Sequence, residues 1–375
     1  MPLARRLLLT AVAATLTVAA GAAPARAITT GPARAPQFNG PVYAIAYRGD
    51  TVYVGGAFTS AESGGRMYSR SRLAAFDARS GTLLDWSPAA DSTVRALAVS
   101  GSSVYAGGSF RRVSGWIRDN LVRLDAYSGA VSSFSHQVTG APYAMVVGNG
   151  RLYVGGSFEE IDGSARGNLA AFSLSSGRLD SQWRPAADDS VHALALAGGR
   201  VYAGGGFHKV SGVTGTLRFA AISASSGAVD RSFTPKPDSQ VNSIAVDGAN
   251  VYAATGGQGG RALAYTTTGK LKWQRVFDGD AVAIATLGGS VYVGGHFDKI
   301  CRSVRNGTQG ACLDGSYSRV KLASLTAAGA LTSWAPQANG VIGVRTLVAH
   351  GGAMSAGGDF TAIGGQIRKR FATFR

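Results

Sequence analysis

The sequence predicts an all-β fold, a seven-bladed β-propeller of four-stranded blades. Three observations predict it. One phrase recurs: "VYVGGAF" at 52–58, "VYAGGSF" at 104–110, "LYVGGSF" at 152–158 and "VYAGGGF" at 201–207. Anchored on the Gly-Gly pair, copies begin at Gly55, Gly107, Gly155, Gly204, Gly294 and Gly357, with a degenerate one at Gly256-Gly257, a period of about 50 residues. Each unit reads as short strands between Gly-rich turns, without helical periodicity. The two ends of the chain are also complementary. The last unit stops at "RFATFR", its third strand, while "APQFNG" (35–40) before the first unit echoes "APQANG" (335–340) before the last. The segment at 35–40 is therefore expected to pair with the third strand of the last blade and close the ring, which removes an exposed edge.

The strands follow in order. The first is apolar and alternating, as in "VRALAV" (94–99) and "VHALAL" (191–196). The second carries the Gly-Gly pair, which suits crowded backbone or positive φ. The third resembles "RLAAF" (72–76) and "NLAAF" (168–172), and the fourth ends in an aromatic, as in "LLDW" (83–86). Trp86, Phe134, Trp183, Phe233, Trp273 and Trp334 end fourth strands; Phe58, Phe110, Phe158, Phe207, Phe297 and Phe360 follow the second. Blades packed face to face bury both faces of a strand, so these rings read as core. A stacking platform for sugars or bases would need them exposed. Five residues beyond each fourth-strand aromatic stands Asp91, Thr139, Asp188, Asp238, Asp278 or Asn339, with Asn39 in the matching place. Such residues set turns by bonding nearby N–H groups; a ring of them also offers a place for a cation or sugar.

The first 27 residues read as an export signal. Arg5-Arg6 precede an apolar run from Leu7 to Ala22 and a small-x-small site at Ala25-Arg26-Ala27. Residues 28–375 are expected to form one domain, exported, monomeric and without a membrane span. The 37 Lys and Arg against 21 Asp and Glu give a formal net charge of +16, a balance that favours polyanions. In an exported chain these are cell-wall polymers or glycans before nucleic acid. The arginines read as scattered, with no basic run beyond "RKR" at 368–370. Cys301 and Cys312 are the only cysteines and read as a disulfide. A metal site there has only Asp298 and Asp314 as neighbouring ligands, and neither metal nor cofactor is expected.

The copies differ informatively in two places. The residue after Gly-Gly is small in four units but His296 and Asp359 in the sixth and seventh. A closed ring would make those neighbours near one mouth, as a hydrogen-bonded or ligand-binding pair. The second-to-third-strand loop is long in the sixth unit, from about Asp298 to Arg319, and holds both cysteines. Such loops carry specificity, so Asp298, Arg302 and Arg305 join His296 and Asp359 as candidate ligand-binding residues. The fifth unit's loop, "GGQGGRA" (256–262), is short, which predicts a groove beside the sixth.

No nucleophile elbow, phosphate loop, His-Glu-x-x-His zinc motif, vicinal cysteine pair or Asp box occurs. The units resemble those of exported actinobacterial propellers of the delta-60-repeat type, through "VYVGGAF", "LAAFDARSGTLLDWSP" and "VYVGGHFDKIC…C". They also resemble the quinoprotein-dehydrogenase-like superfamily, whose tryptophan-docking signature is approached by "AYTTTGKLKW" (264–273), with Thr266 at the acidic place, and "AFDARSGTLLDW" (75–86), which keeps Asp77 but adds one residue before Trp86. That superfamily holds quinone enzymes and scaffolds alike. The expected function is a non-catalytic binding scaffold at the cell envelope, its partner a cell-wall polymer, glycan or protein. The alternative is an enzyme acting through the central mouth, a quinoprotein-like oxidoreductase or a polysaccharide-active enzyme.

Overall fold

The computed structural model describes residues 28–375, so the export signal expected at 1–27 lies outside the described residues. Among them the chain is all β apart from one 3-10 turn at Thr308–Gly310. The basic unit is an antiparallel sheet. Its inner strand, Val42–Arg48, pairs with Thr51–Gly56, which pairs with Leu73–Asp77. The same order recurs over 94–125, 138–173, 191–223, 241–276, 281–326 and 344–374. Each inner strand lies against the next, and the inner strand of the last unit lies against that of the first.

The fourth strand departs from expectation. It is a full strand only in the fifth unit, Leu271–Val276. Elsewhere it shrinks to single bridges such as Phe76↔Leu83 and Phe172↔Leu179. The reason is local. Pro88, Pro185, Pro235 and Pro336 stand two residues beyond the aromatic and cannot donate to a ladder. Asp180 and Asp230 also take the following N–H groups into turns. The second unit lacks that proline, but there Ser132 Oγ accepts the Phe134 N–H; "LKWQRV" has none of these devices.

The Gly-Gly pair answers to crowding, not to φ. A Cβ on Gly55 would stand 2.6 Å from Val94 Cγ1 of the next sheet, and one on Gly56 would overlap the carbonyl oxygen of Pro41. The equivalents repeat around the chain, down to Gly357 against Val42 of the first sheet. The first glycine thus lets adjacent sheets touch, and the second admits the chain that enters its own inner strand.

The recurrent phenylalanines are buried, as are all the fourth-segment aromatics except Trp273, which is half-buried. The tryptophans also hydrogen-bond across sheets. The indole N–H of Trp86 donates to Asp125 O at 2.9 Å, Trp183 to Ser223 O at 3.0 Å and Trp273 to Ala327 O at 2.9 Å. Tyr53 and Tyr153 pack edge-on to Trp86 and Trp183 and donate their hydroxyls to Ala126 O and Ala224 O. Each such set ties one sheet to the next.

Four of the arginines follow a pattern. Arg70, Arg118, Arg166 and Arg319 each stand three residues before a third strand. Each donates to the carbonyl of the preceding residue and to one in the fourth segment, namely Leu84, Ser132, Asp180 and Thr332. Part of the basic excess therefore clamps main chain inside the fold.

At the N-terminal end, the Thr29 N–H donates to Arg375 O at 2.8 Å and the Ala33 N–H to Thr373 O at 2.7 Å. Trp334 donates its indole N–H to Thr29 O at 2.9 Å. The pairing with the last third strand thus involves residues 29–33 rather than the expected 35–40. Gln37–Phe38 pairs with Ser60–Ser63 in the loop of the first unit and touches the last unit only ahead of its third strand, where the Phe38 N–H donates to Lys369 O at 3.2 Å. Phe38 takes the place that Ala90, Phe277 and Ala338 occupy before later units, each bridged to the loop that follows it. The likeness of "APQFNG" to "APQANG" reflects that shared role.

Candidate functional site: the mouth of the inner strands

Every inner strand carries a register shift, after its first residue in six of them, as between Val42 and Ala44 and between Val94 and Ala96, and between Pro142 and Ala144 in the longer third one. The bulged residue opposes no partner and its side chain is free to differ. The bulged residues are Tyr43, Arg95, Tyr143, His192, Asn242, Val282 and Arg345, and all line one cavity of about 450 Å³. Inward it continues into a space of about 230 Å³ with small linings such as Ala44, Ala96, Ala144 and Ser243.

The mouth is chemically lopsided. The Arg95 guanidinium lies 5.8 Å from the Tyr43 ring centroid and 5.7 Å from that of Tyr143. Arg345 lies 5.3 Å from the Tyr43 centroid. Tyr143 stacks on His192 with centroids 5.4 Å apart. The other side is amide and carboxylate. Asn242 donates to Ala281 O at 2.9 Å, and Asp280 accepts the Gly257 N–H at 2.9 Å.

Burial pushes the His192 imidazole below its ordinary 6.5, against the pull of Asp189. The unfolded chain then binds the extra proton first, so His192 makes stability fall as pH drops below about 6.5. His192→Asn is expected to flatten that decline relative to wild type, read as denaturation midpoints at pH 7.5 and pH 5. Parallel declines would show that His192 does not drive it.

The candidates from sequence stand apart from this ring. Asp359 accepts the Gly343 N–H at 2.6 Å and the Ile342 N–H at 3.3 Å, and lies 3.4 Å from Arg345. His296 is exposed, and no hydrogen bond joins it to Asp359 among the described residues. Asp298 pairs with buried Lys321 at 2.9 Å. Arg302 lies over the Tyr317 ring at 5.1 Å, and Arg305 is 3.5 Å from Asp314. Of the five, only Asp359 touches the mouth, through Arg345. Four of the loop-entry residues are structural. Asn39, Asp188, Asp278 and Asn339 each accept two backbone N–H groups from a loop about twenty residues on, as with Asp278 and the N–H groups of Asp298 and Lys299. The expected local turn is therefore a longer-range staple. The mouth had a readable signal: the second position of each inner strand varies most in chemistry, while its neighbours stay small or aliphatic.

Cys301 and Cys312 form a disulfide with Cα atoms 5.1 Å apart. The loop they pin leans over the short loop of the fifth unit, where Asn306 donates to Gln258 O. A polar cavity of about 460 Å³ remains between them, lined by Asp238, Arg261, Asn306 and glycine backbone. Arg261 and Asp238 pair across it, so its charges are already matched. Replacing both cysteines by alanine is expected to lower stability by about 3 kcal/mol in the chain-entropy account, measured by denaturant titration of the double variant. An unchanged midpoint would contradict it. Among the described residues no helix is long and apolar enough to cross a membrane, and no cluster of three or more His, Cys, Asp or Glu residues is placed to hold a metal ion.

Comparison with known proteins agrees with this architecture. The crystal structure of the WD40 β-propeller domain of Doa1 is 11% identical with a TM-score of 0.54, covering 92% of this chain and 96% of that one. The computationally designed Ika8 protein is 14% identical with a TM-score of 0.49, covering 90% of this chain and 98% of its own. The likeness to Doa1 identifies the fold as a propeller. No curated protein matches the chain. A family model described as outer membrane protein assembly factor BamB matches residues 118–338, more than half of the 375 residues. This quinoprotein-like propeller therefore belongs to the family described as outer membrane protein assembly factor BamB.

Proposed function

We propose that the protein is a non-catalytic binding scaffold in the extracytoplasmic space, monomeric and working from its loop-bearing face. It is a seven-bladed ring closed by residues 28–33, of the exported delta-60-repeat type. The closing hydrogen bonds of Thr29 and Ala33 and the approach of Gly357 to Val42 support the ring. The disulfide supports an oxidising compartment.

One observation carries the functional reading: the variable residues of the inner strands converge on one open mouth, while the acids beside it are taken up by backbone N–H groups. Asp280 and Asp359 hold Gly257 and Gly343 in this way. A general acid or base needs a carboxylate free to exchange a proton with substrate; these carboxylates accept loop N–H groups, Asp280 while still lining the cavity. Cationic side chains beside aromatic rings suit binding instead. The favoured partners are anionic cell-wall polymers or glycans. Retention of the purified protein on cell-wall material and immobilised anionic glycans tests this. Retention at low salt that fades as salt rises is expected; no retention at low salt would overturn the reading.

A further inference from the structure

We propose that the arc of Arg345, Tyr43, Arg95 and Tyr143 is a receptor for a compact oxyanion, a carboxylate or phosphate group carried by the ligand. The inference rests on the scaffold reading and specifies what its mouth recognises. Arg95 is the central observation. Arg118 and Arg166 are engaged on main-chain carbonyls and Arg151 and Arg200 on Asp180 and Asp230; exposed arginines such as Arg231 have no such partner, and exposed Arg95 differs from them in lining the shared cavity. Arg95 has neither a hydrogen bond nor an acid partner among the described residues. It lies between two tyrosine rings, at 5.8 and 5.7 Å from their centroids. The rings order the side chain but satisfy none of its N–H donors, which match the geometry of carboxylate and phosphate. The hydroxyls of Tyr43 and Tyr143 have no hydrogen-bond partner among the described residues either, and add two further donors.

Arg345 extends the arc. Its one acid contact, Asp359 at 3.4 Å, is long, and that carboxylate is shared with the Gly343 N–H at 2.6 Å. Its Nε is buried without a partner. Asp280 stands across the cavity and repels an anion, which favours the arginine side. The cavity of about 450 Å³ exceeds a single phosphate or carboxylate; its size fits a larger ligand that presents such a group.

Calorimetric titration of the full folded chain at low salt tests the assignment, with inorganic pyrophosphate and citrate as probes. Wild type is expected to bind at least one probe saturably, and the better probe tells whether phosphate or carboxylate is preferred. Arg95→Gln and Arg345→Gln are each expected to weaken binding about tenfold or more. Exposed Arg231→Gln, remote from the mouth, should bind as wild type does, and circular dichroism checks that each variant is folded. Where a mouth variant does not fold, Tyr43→Phe with Tyr143→Phe replaces it and should also weaken binding. The proposal is overturned if neither probe saturates, or if the folded mouth variants bind as well as Arg231→Gln. Failure here with cell-wall retention intact leaves the scaffold reading standing; loss of both removes it as well.

Discussion

Trp183→Ala is expected to lower stability by about 3–5 kcal/mol. The side chain is fully buried, and its loss opens a cavity among Tyr153, Val191 and Phe207. It also removes one of the two donors to Ser223 O, the one that crosses the junction between two sheets, and the edge-on contact with Tyr153, at 5.1 Å between centroids. Ser223 O keeps the Gly227 N–H at 2.9 Å, so the lost bond itself, about 1 kcal/mol, is what adds to the cavity cost. Trp183→Phe separates the terms. It keeps most of the apolar volume and should recover the larger part, leaving a deficit of about 1 kcal/mol or somewhat more for the bond. Urea midpoints of the two variants measure this. If both lose equally little, tryptophan docking does not hold adjacent sheets together.

Removing residues 28–38 is the second large perturbation. Ile28 and Phe38 are buried, and each apolar side chain contributes about 1.5–3 kcal/mol through its burial. The bonds of Thr29 and Ala33 to the last strand, and of Trp334 to Thr29, are lost with them. Each contributes about 1 kcal/mol. The combined loss, about 5 kcal/mol or more, approaches the whole stability of many domains. The last strand, Phe371–Phe374, is also left as an open, apolar edge, a template for association. The truncated chain is therefore expected to unfold at much lower denaturant and to form oligomers in size-exclusion chromatography. A truncated chain that stays monomeric with an unchanged midpoint would exclude ring closure by this segment.

The repeat was legible because packing of like on like forces like residues. Most sheets in this array meet their neighbour through a Gly against a Val, as Gly55 against Val94 and Gly204 against Val241, so those letters recur and announce the unit. The arginine clamp was equally periodic: Arg70, Arg118, Arg166 and Arg319 hold a constant offset from the third strand. Measured from Gly-Gly, however, its spacing is irregular, because the loops between the second and third strands differ in length. The fourth segments were legible as aromatic positions but not as single bridges, since the prolines and aspartates that limit the ladder lie beyond the aromatic and within the turn.

The amino-acid order by itself determined the all-β repeating plan, the buried rings and the cysteine pairing, because each depends on contacts that recur or lie close in the chain. Tertiary structure alone decided the mouth. Tyr43, Arg95 and Arg345 are dispersed along the chain and meet only because inner strands from successive sheets converge, each with a bulge that frees one side chain from the ladder. Convergence depends on how the sheets are arranged about one another, which no local run of residues encodes.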